Sequence, residues 1–256
     1  MFLTLVRRKE LEHYLHTYLM CDQFNDYAPN GLQIEGREDI RRICTAVTAS
    51  DEVIKIAISQ QADVLLVHHG YFWRGEEAVI CGMKRRRIGQ LMAHDINLFA
   101  YHLPLDCHPK IGNNACLGKL LGVDAIERHT IDKTPNLLWT GTFLKPYKAL
   151  DLSSFLFETF NRLPVQVLGS DKPIRHIAWC SGAAQQYIEN AKQLGVDAYL
   201  SGEISERTYY QAKELDLHYF SCGHHATERY GIQTLGEHLR AQFGIDHEFI
   251  DSFNPV

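Results

Sequence analysis

The stretch QQADVLLVHHG, at residues 60–70, largely decides how this chain is interpreted. Its apolar run at residues 64–67 is bounded by Asp63 on one side and by His68 and His69 on the other. A short, continuous apolar run is typical of a strand that is buried on both faces, as in a parallel sheet. The stretch therefore predicts a central parallel strand that ends directly at two side chains able to bind a metal ion.

A second stretch, QLGVDAYLSGE at residues 193–203, repeats this arrangement. It again places a helix end and an aspartate before an apolar strand, at residues 198–200, that leads into polar residues. This likeness favours a chain built from a duplicated unit. The alternative is a chance likeness, because any two α/β units resemble one another.

Around these two stretches, strands alternate with helices. Strands are predicted at residues 43–47, 97–101, 177–180 and 217–222, and helices at residues 88–94, 181–194 and 205–215. This alternation predicts an α/β fold, here a duplicated three-layer α/β/α unit with mostly parallel sheets. A less regular region with three prolines begins at residue 128. We therefore predict a first unit at residues 1–127 and a second at residues 128–256, whose C-terminal segment is able to pack back on the first unit.

The composition excludes several classes of protein. Of the 256 residues, 45% are hydrophobic and 22% are charged, which is ordinary for a globular protein. The net charge of −5 disfavours bulk binding of nucleic acid, because phosphate contacts need a surplus of lysine and arginine. The seven cysteines include no C-x-x-C pair, which indicates reduced thiols. With no signal-peptide pattern and no apolar run of roughly 18 residues, a cytoplasmic protein that does not cross a membrane is predicted.

Six of the fourteen histidines fall in three short segments, each directly after a predicted strand. The segments contain His68 and His69, then His102 and His108, and finally His224 and His225. In open α/β sheets, ligands bind beyond the carboxyl ends of the strands. We therefore expect the three segments to converge on one site.

The first two segments each allow two interpretations. His68 and His69 are either both metal ligands, with Gly70 allowing the chain to leave the strand, or one ligand and one orienting histidine. In the second segment Asp106 offers a hard oxygen ligand beside imidazole nitrogens, a mixture that suits Zn, Mn or Fe. The alternative for Asp106 is a cap in a loop, and His102 could orient a ligand instead of binding metal.

The third segment also allows two interpretations. His224 and Glu228 are four residues apart, so one helical turn places them on the same face, which is a workable spacing for two metal ligands. The alternative is a plain helix start at which Thr227 and Glu228 act as capping groups.

Five candidate ligands exceed what one tetrahedral zinc ion requires. With a bridging carboxylate, Glu228 in preference to Asp106, they fit two divalent metal ions roughly 3.5–4 Å apart. Histidine and carboxylate ligands admit Zn, Mn, Fe or Ni. Glu203, His102 and His225 are candidates for moving protons at such a site, although Glu203 could equally be a surface carboxylate.

Five segments together resemble a known family in sequence and in order. They are YAPNGLQ at 27–33, VHHGYF at 67–72, HLPLD at 102–106, SGE at 201–203 and GHHATE at 223–228. The family is named for NGG-interacting factor three, and its bacterial members are also called GTP cyclohydrolase 1 type 2 homologues. The resemblance spans nearly the whole chain and is strongest to the short bacterial members. Many members have tyrosine where this chain has His225, which leaves the role of His225 open.

The resemblance implies a ligand set and an assembly. Its metal ligands fall on five residues of this chain: His68, His69, Asp106, His224 and Glu228. The implied fold is a duplicated α/β/α unit, and the implied assembly is a toroidal homohexamer with metal pairs along its interior.

The leading functional hypothesis is a metal-dependent hydrolase acting on a small, nucleotide-like substrate. The alternative is a metal-binding scaffold or metal chaperone without turnover, because no dedicated nucleophile is evident. A DNA-associated role is poorly supported by the acidic charge.

Overall fold

The computed structural model describes residues 5–256. The first half of the chain contains the following elements: β1 (Val6–Arg7), α1 (Arg8–Tyr18), β2 (Gly31–Ile34), β3 (Asp39–Ile40), β4 (Arg42–Thr48), α2 (Asp51–Ser59), β5 (Val64–His69), α3 (Gly82–Ala93), β6 (Asn97–Ala100), α4 (Leu103–Cys107) and α5 (Asn113–Leu121). A short 3₁₀ helix, Cys21–Gln23, lies between α1 and β2.

The second half continues the alternation of strands and helices. Its elements are β7 (Asp124–Ile131), β8 (Thr134–Tyr147), α6 (Ala149–Phe160), β9 (Val165–Val167), β10 (Ile174–Trp179), α7 (Ile188–Gln193), β11 (Ala198–Ser201), α8 (Glu206–Glu214), β12 (His218–Ser221), α9 (His224–Phe243) and β13 (Asp246–Phe249). A 3₁₀ helix, Gln185–Tyr187, precedes α7.

The chain forms two compact units. The first contains residues up to 105 together with residues 231–253, and the second contains residues 106–230 together with residues 254–256. The C-terminal strand β13 belongs to the first unit, where it pairs in parallel with β4.

The first unit is built on a five-stranded sheet in the order β13-β4-β5-β6-β2. The strands from β13 to β6 pair in parallel, and only β2 runs antiparallel to its neighbour β6. Residues such as Val53, Leu65 and Leu98 form its buried core. Helix α2 starts after Ser50, whose Oγ accepts a hydrogen bond from the backbone N–H of Val53 at 3.2 Å. The serine thus satisfies a donor that the first helical turn leaves unpaired.

The second unit is built on a six-stranded sheet in the order β7-β8-β10-β11-β12-β9. Strands β10, β11 and β12 are parallel, whereas the pairs β7–β8, β8–β10 and β12–β9 are antiparallel. Its core contains Trp179, Leu200, Phe220 and Leu156. The predicted α/β class is therefore confirmed, with a mostly parallel sheet in the first unit and a mixed sheet in the second.

The two sheets share a common topology. Each contains three consecutive parallel strands, β4-β5-β6 in one and β10-β11-β12 in the other, and each adds an antiparallel strand beside the third, β2 or β9. The likeness between the stretches at 60–70 and 193–203 thus reflects equivalent places in the two sheets. This equivalence supports the predicted duplication.

In each sheet, one aspartate forms hydrogen bonds that connect the amino-terminal ends of three consecutive parallel strands. In the first sheet, Asp63 Oδ2 accepts hydrogen bonds from the backbone N–H groups of residues 41–42 at 2.7 and 2.9 Å. In the second, Asp197 Oδ2 accepts from residues 175–176 at 2.9 and 2.8 Å. The backbone oxygens of the two aspartates accept from Asn97 at 3.0 Å and from His218 at 3.1 Å, where the third strands begin. These are the aspartates that precede the apolar runs in the sequence.

Three details differ from the sequence-based expectation. Residues 106–127, expected in the first unit, lie in the second, because β7 pairs with the long strand β8. The stretch 134–147 lacked a strand prediction, because its mixture of polar and apolar residues hides a strand on the antiparallel side of the sheet. The helix expected from residue 181 begins only at Ile188, since Gly182 has a left-handed φ of 65° that an α-helix cannot accommodate.

Within residues 5–256, no helix combines the length and the apolar character needed to cross a bilayer.

The backbone around Gly36 leaves no room for a side chain. A Cβ atom at this position would lie 2.4 Å from the backbone oxygen of Asp95, which is closer than Cβ atoms approach backbone. We expect Gly36→Ala to lower the free energy of unfolding by about 2–3 kcal/mol, as overpacking does. Gly89, inside α3, has no atom within 4 Å of an added Cβ, so Gly89→Ala should raise stability by about 0.5–1 kcal/mol. Urea unfolding of both variants gives the comparison, and equal effects would contradict the packing argument.

Candidate metal centre

Three histidines lie together at the carboxyl ends of two neighbouring strands in the first unit. His68 and His69 end β5, and His102 follows β6. The ring centroids of His68 and His69 are 4.5 Å apart, and that of His102 lies 5.1 and 5.9 Å from them. One nitrogen from each ring lies within 4.8 Å of the others, so this histidine cluster could hold a metal ion. The parallel pairing of β5 with β6 brings these strand ends together.

An oxygen atom orients each of the two β5 histidines through Nδ1. The backbone oxygen of Tyr101 lies 2.9 Å from Nδ1 of His68 and can only accept, so Nδ1 carries the proton and Nε2 the lone pair. Nδ1 of His69 lies 3.2 Å from Oγ1 of Thr48, the last residue of β4. A histidine oriented in this way presents Nε2 as the ligand nitrogen.

His102 is oriented by the buried carboxylate of Asp26. Its Nδ1 lies 2.9 Å from Asp26 Oδ1, and the Asp26 side chain is only 3% exposed. Asp26 also accepts hydrogen bonds from the Asn30 amide and from the backbone N–H of Leu103, each at 2.9 Å. Burial opposes ionisation of this carboxyl, but His102 and these donors outweigh burial and lower the pKa of Asp26 to about 2. Asp26 is therefore ionised at neutral pH.

The second unit contains a carboxylate cluster, formed by Asp106, Glu203, His224 and Glu228. Helix α9 begins at His224, directly after Gly223, whose φ of 100° turns the chain away from β12. Nε2 of His224 lies 3.1 Å from Glu228 Oε2, one helical turn further on, and its Nδ1 lies 2.7 Å from Glu203 Oε1. Burial alone would lower the pKa of His224, but Glu228 and Glu203 together raise it to about 9.

Asp106 is the third strong ligand candidate in the second unit. Its Oδ1 accepts hydrogen bonds from Nδ2 of Asn113 at 2.9 Å and from Oγ of Ser181 at 2.8 Å. A carboxylate oxygen of Asp106 lies within 4.8 Å of one of Glu228, and both side chains are buried. Two buried carboxylates this close repel each other, and a divalent cation would relieve that repulsion.

Cys180 lies near these carboxylates but is unsuited to act as a thiolate. Burial, followed by the charges of Asp106 and Glu228, raises the pKa of the Cys180 thiol well above its ordinary value. A thiol of this kind stays protonated and inert at neutral pH. The chemistry of the cluster therefore depends on its histidine and its carboxylates.

Gly182 allows the His224–Glu228 pair to form. Its left-handed φ of 65° is one that residues with a side chain rarely adopt. A Cβ atom here would lie 2.1 Å from Glu228 Oε1 and 3.3 Å from His224 Nε2. The absence of a side chain at residue 182 thus creates the space that the glutamate carboxylate occupies.

The structure positions most of the residues proposed from the sequence. It brings His68, His69 and His102 together in one unit, and Asp106, Glu203, His224 and Glu228 together in the other. His225 is buried on α9, and its backbone N–H donates to the backbone oxygen of Val256 at 3.1 Å. Glu203, expected as a base or a surface group, is bonded to Nδ1 of His224 and orients the ring of this candidate ligand.

The sequence did not single out four residues whose side chains orient the candidate site residues. They are Asp26, Thr48, Asn113 and Ser181. Asp26 directly precedes the segment YAPNGLQ at 27–33, and Asn113 lies in the sequence GNN at 112–114, where glycine and asparagine indicate a turn. Both residues therefore have a local signal in the sequence. Ser181 had no such signal, because it is 75 residues from the carboxylate that it contacts.

The four oriented histidines have one feature in common. In each, Nδ1 is near an oxygen: a backbone carbonyl for His68, a hydroxyl for His69, and carboxylates for His102 and His224. Histidines that bind metal ions almost always use their second nitrogen in this way. With neighbouring carboxylates, this donor set suits Zn, Mn, Fe or Ni.

Comparison with known proteins identifies the family. The family described as Duf34/NIF3 (NGG1p interacting factor 3) matches residues 6–255. Similar proteins called "GTP cyclohydrolase 1 type 2 homolog" occur in Yersinia pestis, with 48% identity over 98% of this chain and 100% of the relative, and in Vibrio cholerae, with 49% identity over 96% and 98%. The solved structure described as "Structural genomics, protein ybgI, unknown function" has a TM-score of 0.94 and 42% identity, covering 98% of this chain and 100% of that one. This chain belongs to the Duf34/NIF3 family.

Gly182 provides a test of the carboxylate cluster. We expect Gly182→Ala to weaken metal binding by about 10–100-fold, because the methyl group displaces Glu228 and His224. The matched control is Gly195→Ala, where φ is 72° but no atom lies within 4 Å of the added Cβ. Both variants should lose roughly 1–2 kcal/mol of stability from backbone strain, and only the first should lose metal. Equal metal affinity in the two variants, measured by competition with a chromophoric chelator, would contradict this prediction.

Proposed function

We propose that this protein is a metal-dependent hydrolase that acts on a small, nucleotide-like substrate and binds two divalent metal ions. The proposed ligands are His68, His69, Asp106, His224 and Glu228. The main support is the shared orientation of the histidines, whose Nδ1 atoms are all near an oxygen, so that Nε2 is the nitrogen directed to a metal ion. At His224, a metal ion would take the place of the proton between Nε2 and Glu228 Oε2.

The number and type of the donors support two ions in preference to one. A single tetrahedral zinc ion uses four ligands, whereas five residues with one bridging carboxylate suit a pair of ions. Glu228 is the proposed bridge, because it is buried and lies near both His224 and Asp106. The proposed pair of ions would take ligands from the histidine cluster and from the carboxylate cluster.

Several side chains would act on the substrate or keep the ligands in place. Bound metal ions of this type lower the pKa of water and polarise a carbonyl, phosphoryl or ring carbon. His102 is the proposed proton-transfer group, since the ionised Asp26 holds its ring in place through Nδ1. Glu203 fixes the ring of His224, and Asn113 fixes the carboxylate of Asp106. His225 is a further proposed proton donor or acceptor.

The names of the relatives support the substrate class. They are called homologues of a GTP cyclohydrolase, which suggests a purine-like compound. A toroidal homohexamer, implied by the sequence resemblance, is part of the proposal, and light scattering of the purified protein measures the number of chains.

Metal content tests the shared site. We expect nearly two ions per chain in the wild-type protein and loss of one or both in His68→Ala and in Glu228→Ala. Because a bridged pair shares a ligand, either variant should also weaken binding of the remaining ion. Elemental analysis with matched controls, His94→Ala and Glu214→Ala at exposed positions, measures this. A wild-type value near zero, or loss of one independent ion from each variant, would contradict the shared pair.

Measurement of substrate turnover tests the proposed hydrolase activity. Metal-loaded protein should hydrolyse at least one member of a panel of nucleotides and related heterocycles, and the double variant His68→Ala, Glu228→Ala should be at least about 10³-fold slower. Equal rates for the two proteins would remove these residues from the chemistry. Full metal content with no turnover, together with fast exchange of metal with other proteins, would favour the metal-chaperone alternative.

A further inference from the structure

Two aromatic side chains lie directly beside the histidine cluster. The ring of Trp73 lies 5.2 Å from that of His102 and 5.9 Å from that of His69, measured between centroids. The ring of Tyr27 lies 4.8 Å from His102 and 5.7 Å from Trp73. Tyr27 and Trp73, together called the aromatic shelf, are inclined to each other by only 36°. The first unit thus places an aromatic surface next to three candidate metal-binding or proton-transfer groups.

The aromatic shelf is accessible to a ligand, whereas the tryptophans outside it are buried. Tyr27 is 50% exposed and Trp73 is half-buried. Trp139 and Trp179 are 3% and 0% exposed, and their indole N–H groups donate to backbone oxygens at 2.7 and 2.9 Å. Across residues 5–256, the Trp73 indole N–H makes no such bond, so it remains available to a carbonyl or ring nitrogen of a ligand.

Hydrogen bonds connect the two loops that carry the aromatic shelf. The backbone N–H of Arg74 donates to the backbone oxygen of Tyr27 at 2.7 Å, and Nη2 of Arg74 donates to the backbone oxygen of Asp26 at 2.8 Å. The Asp26 carboxylate in turn accepts from the backbone N–H of Tyr27 at 2.7 Å while it orients His102. The loops are therefore organised before any ligand binds, which reduces the entropy lost on binding.

The backbone at Phe72 has a strained conformation. Its φ of 65° is a left-handed conformation that bulky side chains rarely adopt. This turn lies between the end of β5 and Trp73, and after it the Trp73 ring lies close to His69. The Phe72 ring is covered on one face by Nζ of Lys84, 4.6 Å from its centroid. Strain of this kind is concentrated at binding sites, where the surrounding structure maintains it.

We propose that the aromatic shelf binds the planar ring of the substrate, a nitrogen heterocycle of the size of a nucleobase. This inference rests on the proposed function, because it assigns contacts to the substrate of the same site. Stacking on Tyr27 and Trp73 would place the edge of the ring beside His69 and His102. A phosphoester or an amide without an aromatic ring would gain nothing from this surface, so the aromatic shelf selects among hydrolase substrates.

Binding of guanosine tests the proposal, since guanosine has the purine ring and lacks phosphate. Equilibrium dialysis of the metal-loaded protein should show guanosine bound at least about 10-fold more tightly than ribose 5-phosphate. Trp73→Leu and Tyr27→Leu should each weaken guanosine binding by about 10-fold, and Trp73→Phe by less than about threefold, because phenylalanine preserves a π face. Tyr209→Leu, which removes an exposed tyrosine of the second unit, is the matched control and should bind like the wild type.

The outcomes separate this inference from the function on which it rests. Suppose that the wild type and Trp73→Leu both bind two metal ions per chain and bind guanosine with equal affinity. This result would overturn ring binding by the aromatic shelf and would still support the metal site. If His68→Ala loses metal but binds guanosine like the wild type, this would support ring binding by the aromatic shelf independently of the metal site. Quenching of tryptophan fluorescence by iodide reports on Trp73, the only one of the three tryptophans that is not buried. If Trp73 becomes better protected from iodide as the protein concentration rises, another copy of the chain covers Trp73, and this would overturn the proposal.

Discussion

Each sheet depends on one aspartate that connects the amino-terminal ends of three parallel strands. Asp63 and Asp197 do this with the same atoms: a carboxylate oxygen accepts two backbone N–H groups of the first strand, and the backbone oxygen accepts one at the third. Hydrogen bonds from backbone N–H to a carboxylate are stronger than those between neutral groups. Because the strand starts are aligned, strands of similar length also end near one another. The residues that follow them are therefore brought together.

The equivalent strand ends carry different chemistry in the two units. In the first unit, the second parallel strand ends at His68 and His69. In the second unit, the equivalent strand ends at Ser201, and polar residues lead from it to Glu203. After the third strand the corresponding residues are His102 and His224. The first unit thus carries imidazoles, and the second carries an imidazole together with carboxylates. A duplicated fold supplies equivalent positions, and the side chains at those positions decide which candidate metal-binding groups each unit carries.

The groups behind the candidate ligands matter as much as the ligands. A histidine ring can rotate and can carry its proton on either nitrogen, so a defined partner for Nδ1 is needed before Nε2 has a fixed direction. Asp26 has this role for His102 and Glu203 has it for His224. Asp26 also organises the loop of Tyr27, so one buried carboxylate connects the histidine cluster with the aromatic shelf. The organisation of the proposed substrate surface therefore depends on the same interaction as the organisation of His102.

The sequence by itself determined the α/β class, most of the parallel strands and the identity of the candidate ligands. Continuous apolar runs mark strands buried on both faces, and the polar residues after them are visible without a structure. The tertiary structure decided what depends on contacts distant in sequence: the antiparallel pairing of β7 and β8, which moves residues 106–127 into the second unit, and the partners of the ligands. Ser181 contacts Asp106 across 75 residues, and Gly182 matters only because Glu228 occupies the space beside it. Local patterns follow from the chain itself, whereas these contacts form only after the sheet has brought distant segments together.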